Sequence, residues 1–198
     1  VFLSLVKTDE GQSVDVGNGY IYVGDWNTAK LTTIDVSNPR NPTVVHQNSL
    51  DGFGDGVYVK NNYVYVSTGH HSRNMGAYEK EGDPGYGKGH GLEIYSLSDP
   101  SKPEFVSRVK FPQFYRRGDD MWNVEVSGDY AYCADTYNGV FVVNIKNPQK
   151  PFIVGYYNYP GDRNFVAGIT AVDDYIYAAC YNSGVHVLYA KDIAKRCT

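Results

Sequence analysis

Three histidines crowd one glycine-rich stretch of this chain: His70, His71 and His90 lie in or beside STGHHSRNMGAYEKEGDPGYGKGHG. Neutral imidazole nitrogen and carboxylate oxygen together suit zinc and similar ions, so with Glu79, Glu81 or Asp83 these histidines are candidate ligands for a divalent metal. Their spacing matches no established ligand motif, and a glycine-rich loop with solvated imidazoles fits the same residues. Calcium needs six to eight oxygens, and neither a D-x-D-x-D-G run nor a calcium-binding nonapeptide repeat is present. Beyond such a metal, no cofactor is indicated.

A second set has different chemistry. Trp26, Trp122, Tyr137 and Tyr181 stand in short polar segments with Arg116, Arg117, Asp120 and Asp135. Flat rings stack on an apolar surface while charged groups orient it, which is how proteins grip a peptide or a sugar. Asp, Asn and Gly also build turns for purely structural reasons. Catalytic signatures are missing: the chain has no G-x-S-x-G elbow, no H-E-x-x-H and no phosphate loop followed by Lys and Ser or Thr. The residues therefore favour a non-enzymatic binding module, with a metal-dependent hydrolase or lyase using the three histidines as the alternative.

Composition narrows the classes further. With 42% apolar residues and 20% charged, the 198-residue chain is folded in character. A formal charge of -4 and the lack of long Lys/Arg runs give little basis for gripping nucleic acid. No apolar run approaches the roughly 20 residues of a membrane-spanning helix. Cys133, Cys180 and Cys197 form no metal-type pair; free thiols, a Cys180–Cys197 bridge and an interchain bond through Cys197 all stay open. The chain opens at Val1, which fits a trimmed mature chain or a piece of a longer one.

The elements that must position these residues repeat. YIYVGD at Tyr20, YVYVST at Tyr63, YAYCAD at Tyr130 and YIYAAC at Tyr175 alternate as strands, and each follows a tight polar turn and a shorter apolar strand. A third strand follows in LTTIDV, LEIYSL, VFVVNI and VHVLYA. Three of these run into an Asn/Asp-Pro-x-x-Pro phrase: NPRNP, DPSKP and NPQKP. Proline cannot donate to a ladder, so the phrase is a corner leading to a fourth strand: TVVHQ, EFVSRV and FIVGYY. Four short antiparallel strands per repeat of about 45 residues are the signature of a β-propeller blade.

These phrases resemble the LVIVD repeat of bacterial and archaeal surface or secreted β-propellers. The resemblance covers nearly the whole chain and implies an all-β propeller of four-stranded antiparallel blades, about four in this chain. It also implies a setting outside the cytoplasm or at the cell surface, and rings of six to eight blades. The chain thus reads as a single repeat domain over residues 1–198, with a long loop insertion at 70–90 in the second repeat. The last copy departs, having Ile193 in place of the corner proline and no recognisable fourth strand. VFLSLV at the chain start reads as a fourth strand that could complete this last blade. Otherwise further blades or a second copy would complete the ring, making self-association part of the role, as in a self-assembling surface or filament component. All length variation falls between strands two and three or before the next blade. That places it on one face of the disc, where a protein or glycan would bind.

Overall fold

The computed structural model describes residues 1–26, 28–69, 89–111, 121–158 and 166–195, except the side chains of Tyr137, Ala194 and Lys195. Four antiparallel sheets follow one another along the chain. The first contains β1 (Gly11–Gly17), β2 (Tyr20–Asp25), β3 (Lys30–Asp35) and β4 (Thr43–Ser49) in sequential order. The second contains β5 (Phe53–Lys60), β6 (Tyr63–Gly69), β7 (Gly91–Ser96) and β8 (Glu104–Lys110). The third is β9 (Met121–Ser127), β10 (Tyr130–Asp135), β11 (Gly139–Asn144) and β12 (Phe152–Tyr157). The fourth has three strands, β13 (Gly168–Val172), β14 (Tyr175–Ala179) and β15 (Val185–Tyr189), followed by helix α1 (Ala190–Lys195). These are the blades of a β-propeller. Their first strands pack successively, β1 on β5, β5 on β9 and β9 on β13, and so form the inner edge.

Local chemistry sets each blade. The β1–β2 turn places Asn18 and Gly19 at φ 54° and 83°, and the β5–β6 turn places Asn61 and Asn62 at 49° and 64°. Positive φ at both central residues is what a type I′ hairpin turn requires, and Asn and Gly tolerate it. The proline phrases share one construction. Asn38, Asp99 and Asn147 each accept the backbone N–H two residues on with a side-chain oxygen. Their carbonyls also accept the N–H three residues on, from Asn41, Lys102 and Lys150. Proline at the second turn position sets φ and needs no donor there.

The corners also tie blades together. The Tyr22 hydroxyl donates to the Pro100 carbonyl at 2.9 Å, joining the first blade to the corner of the second. Ser107 Oγ on β8 donates to Pro148 O of the third blade at 2.5 Å. Between sheets the apolar faces close into clusters. Tyr22, Leu31, Val57 and Val64 pack between the first two blades, and Ile94, Val124, Cys133 and Phe141 between the next two. Tyr132, Val140, Val142, Ile169 and Ile176 fill the space between the third and fourth.

The chain ends differ from the reading of the sequence. VFLSLV forms no strand and does not complete the fourth blade. Instead Ser4 Oγ donates to Pro39 O at 2.6 Å, which holds the segment against the corner of the first blade. Phe2 and Leu5 are 80% and 72% exposed. After β15 the chain turns into α1, which packs on β12 and buries Ile193. The missing corner proline permits this, since A-K-D-I-A-K has no helix breaker. Of the cysteines, Cys133 is a free buried thiol, pushed well above the ordinary thiol range by burial and the Asp135 carboxylate. Cys180 is buried too, and Cys197 lies outside the described residues.

Candidate functional site

Where they are described, the β2–β3, β6–β7, β10–β11 and β14–β15 loops leave the sheets on the same face as the connections between blades. Leu50 N–H donates to Ala29 O, Phe111 N–H to His90 O and Val166 N–H to Thr136 O, each a bond from an interblade connection to a loop of that face. Gly52 and Gly89 cross there so closely that a Cβ on Gly52 would sit 2.4 Å from Gly89 O. Gly89 also has φ +82°, so glycine serves both the crossing and the turn.

At this face the inner strands break register in the same way. The pairing slips by one residue between Gly11 and Ser13 in β1, between Gly54 and Gly56 in β5, and between Met121 and Asn123 in β9. The residues in the bulges are Gln12, Asp55 and Trp122. A bulge re-aims its side chain and bends its strand, and bulges favour barrel rims and active sites. Because β1, β5 and β9 pack side by side, the three bulges form one row along the inner edge. Gln12 and Trp122 are exposed, Trp122 by 45%, whereas Asp55 is buried.

The remaining candidates divide by burial. Trp26 is half-buried and lies against Phe53, with ring centroids 5.0 Å apart and planes tilted by 48°. Tyr181, in the one-turn 3-10 helix Tyr181–Ser183, is 65% exposed. Asp135 is fully buried: its Oδ2 meets His90 Nε2 at 2.9 Å and accepts from Asn138 Nδ2 at 2.9 Å. Asp135 Oδ1 has no hydrogen-bond partner among the described residues. The His90 ring stands edge-on to Phe111 and Phe141, which stack on each other at 4.5 Å. The sequence suggests His90 as a metal ligand and Asp135 as a ligand contact; the fold instead joins the two across the second and third blades. His70, His71, Arg116, Arg117, Asp120 and the Tyr137 side chain lie outside the described residues. Among the described residues no group of three or more His, Cys, Asp or Glu is placed to hold a metal ion.

A second junction uses a buried carboxylate structurally. Glu93 on β7 accepts from Asp51 N–H at 2.7 Å and from the Tyr95 hydroxyl at 2.7 Å, and its Oε1 lies 3.1 Å from Arg108 Nη2. Glu93 and Arg108 are cross-strand partners. The repeat-equivalent pairs are Thr32 with Gln47 and Phe141 with Tyr156. The first is a hydrogen bond of 3.0 Å, and the second a ring contact with centroids 5.7 Å apart. One position in the blade is thus filled by polar, ionic and aromatic pairs in turn. The bulges and Glu93 escaped sequence reasoning; comparing the repeats position by position would have flagged Glu93, a carboxylate in an apolar strand.

Comparison with known proteins agrees with this architecture. No curated protein matches the chain. A protein of unknown function from Desulfotomaculum acetoxidans DSM 771 is similar in structure, with TM-score 0.68 and 14% identity. The match covers 94% of this chain and 54% of that one, so the present chain spans about half its length. The computationally designed Ika4 protein is also similar, with TM-score 0.60 and 10% identity, over 94% of this chain and 95% of that one. The LVIVD repeat is matched twice, at residues 10–48 and 118–159, the first and third blades. The repeated corners, the four successive sheets and these two matches show a β-propeller fold that carries LVIVD repeats.

Proposed function

We propose that this propeller is a non-enzymatic binding module working outside the cytoplasm, and that it recognises a protein or glycan at the loop face beside its inner edge. The observation that carries the reading is the row of bulges, which sets Gln12, Asp55 and Trp122 at one end of three adjacent inner strands. An exposed indole in one row with the exposed Gln12 amide suits a ligand with one flat apolar side and polar edges. Half-buried Trp26, backed by the buried Phe53 ring, and exposed Tyr181 widen this surface. The resemblance of the repeats to those of surface and secreted propellers supports the extracellular setting. The test is to screen the protein on oligosaccharide and peptide arrays and repeat the screen with Trp122→Ala. Affinity for the recognised probes should fall about 10- to 30-fold, the loss typical of an anchoring aromatic. Failure of every probe to bind, or equal binding by the variant, would overturn the reading.

One observation favours a second reading, a metal-dependent hydrolase or lyase. Asp135 holds a buried histidine by one ring nitrogen, an arrangement that orients an imidazole for ligation or proton transfer. His70 and His71 would complete such a centre with His90. Elemental analysis of the purified protein should then give about one zinc or similar ion per chain, with loss of that metal in His90→Gln. Protein that carries no stoichiometric metal and takes none up removes this reading.

A further inference from the structure

Between the third and fourth blades, the face opposite the loops carries a groove of about 570 Å³, within the range of small-molecule sites. Its two walls are the tight turns that join β9 to β10 and β13 to β14. Such turns need positive φ, which Asn, Asp and Gly all tolerate. In the first two blades they are Asn18–Gly19 and Asn61–Asn62, so the turn itself requires no carboxylate. In the third and fourth they are Gly128–Asp129 and Asp173–Asp174, with Gly128 at φ 55° and Asp173 at 53°. Ser127 Oγ donates to Asp173 O at 3.4 Å and holds the two acidic turns side by side. Like charges gathered in this way repel unless a cation joins them.

Two lysines answer part of that charge. Lys146 Nζ lies 3.8 Å from Asp129 and Lys191 Nζ 2.5 Å from Asp174, while Asp173 has no ion pair among the described residues. Tyr132 supplies an observation independent of the charge. It lines the groove and is only 2% exposed, yet its hydroxyl makes no hydrogen bond among the described residues. Tyr22, its equivalent in the first blade, donates to Pro100 O in the corner of the next blade. In the fourth blade A-K-D-I-A-K of α1 replaces that corner phrase, and Tyr132 gains no such carbonyl. Burial, with Tyr130 and the Asp174 carboxylate nearby, pushes the Tyr132 phenol up to about 12. The unpartnered hydroxyl and the acidic turns thus meet in one groove.

We propose that this groove binds a primary ammonium group on an aliphatic chain, of the kind that ends a lysine side chain or a polyamine. An ammonium has three donors and no acceptor, which suits separate acceptors spread over two turns. The Asp173 carboxylate and the Tyr132 oxygen accept from it, and the Tyr132 O–H is left to donate in turn. The rings of Tyr130 and Tyr132, with centroids 6.5 Å apart, offer the aromatic faces that attract an organic cation. A metal ion fits less well, since among the described residues no three His, Cys, Asp or Glu are placed to hold one.

The test follows the tyrosine ring signals of the isotopically labelled 198-residue chain by nuclear magnetic resonance, with Tyr132→Phe assigning the Tyr132 signal. Spermidine and N-acetyl-lysine amide are added separately, against sodium chloride at equal ionic strength. The expected result is a saturable shift of the Tyr132 signal with at least one of the two amines. Spermidine alone would mark a free polyamine as the ligand, and the lysine amide a peptide side chain. Asp173→Asn should weaken binding about tenfold, the loss of one charged hydrogen bond. That variant should fold, because Asn61 holds the equivalent turn position at φ 49°. No saturable shift, a shift that sodium reproduces, tighter binding of calcium than of either amine, or unchanged affinity in Asp173→Asn would overturn the proposal. The groove lies on the face opposite the loops, so the outcome is independent of whether the loop face binds anything.

Discussion

Raising the pH from 10 to 12 is expected to unfold this protein cooperatively. Tyr22, Tyr65 and Tyr132 are buried in the clefts between blades, and desolvation pushes each phenol up from 10.0 to about 12. Tyr95 moves in the same direction, through burial and the neighbouring Glu93 carboxylate. In the unfolded chain these groups ionise near 10, so there the unfolded state holds fewer protons than the folded one. Stability is therefore intact below pH 10 and is lost as pH rises toward 12. Each displaced phenol contributes about 2–3 kcal/mol when the shift is fully expressed, and three together rival the roughly 5–15 kcal/mol that stabilises a domain. Far-ultraviolet circular dichroism should collapse in one step, coincident with a jump in tyrosinate absorbance. Gradual ionisation of all 19 tyrosines near pH 10 with the sheet signal retained would refute the burial. Tyr22→Phe, which removes one such phenol along with its bond to Pro100 O, should delay the step.

Arg108→Ala should be the most damaging single substitution at the Glu93 junction. Glu93 is fully buried, while the Arg108 side chain is 29% exposed. Removing the cation leaves a carboxylate that the Tyr95 hydroxyl and Asp51 N–H satisfy only in part. Breaking a buried ion pair from one side costs about 3–5 kcal/mol, and the partial exposure of Arg108 puts this case near the lower end. For a chain of this size, that corresponds to a fall in Tm of about 6–12 °C. The third blade supplies the control, because the same pair there is Phe141 and Tyr156. A double variant, Glu93→Phe with Arg108→Tyr, should melt above Arg108→Ala. If it melts lower, the charge is not what makes the single variant fail.

Much of this architecture was legible because the repeat states it several times. The Tyr-x-Tyr strands and their partners fell where alternation put them, and the Asn/Asp-Pro phrase marked every regular corner by a local chemical rule. What escaped depends on neighbours. VFLSLV has the alternation of a strand, but a strand needs an edge to pair with, and among the described residues none lies beside it. Residues 190–195 become helical because the proline that would stop them is absent and β12 offers Ile193 a place to pack. At the site, the sequence located Trp26, Trp122 and Tyr181 on the loop face. It could not foresee that Asp135 turns inward to His90, because that pair forms across a blade junction between residues 45 positions apart.

The successive packing of β1, β5, β9 and β13 makes the molecule a linear array in energy as well as in shape. Each blade is coupled only to its neighbours, so the interior pair is held by two interfaces and each end blade by one. The fourth blade, with three strands and a single interface, is where opening costs least, and the second and third set the threshold for global unfolding. An array of this kind opens locally at its margins before the whole yields, and a contact that joined the two margins would raise the cost of those local openings toward that of global unfolding.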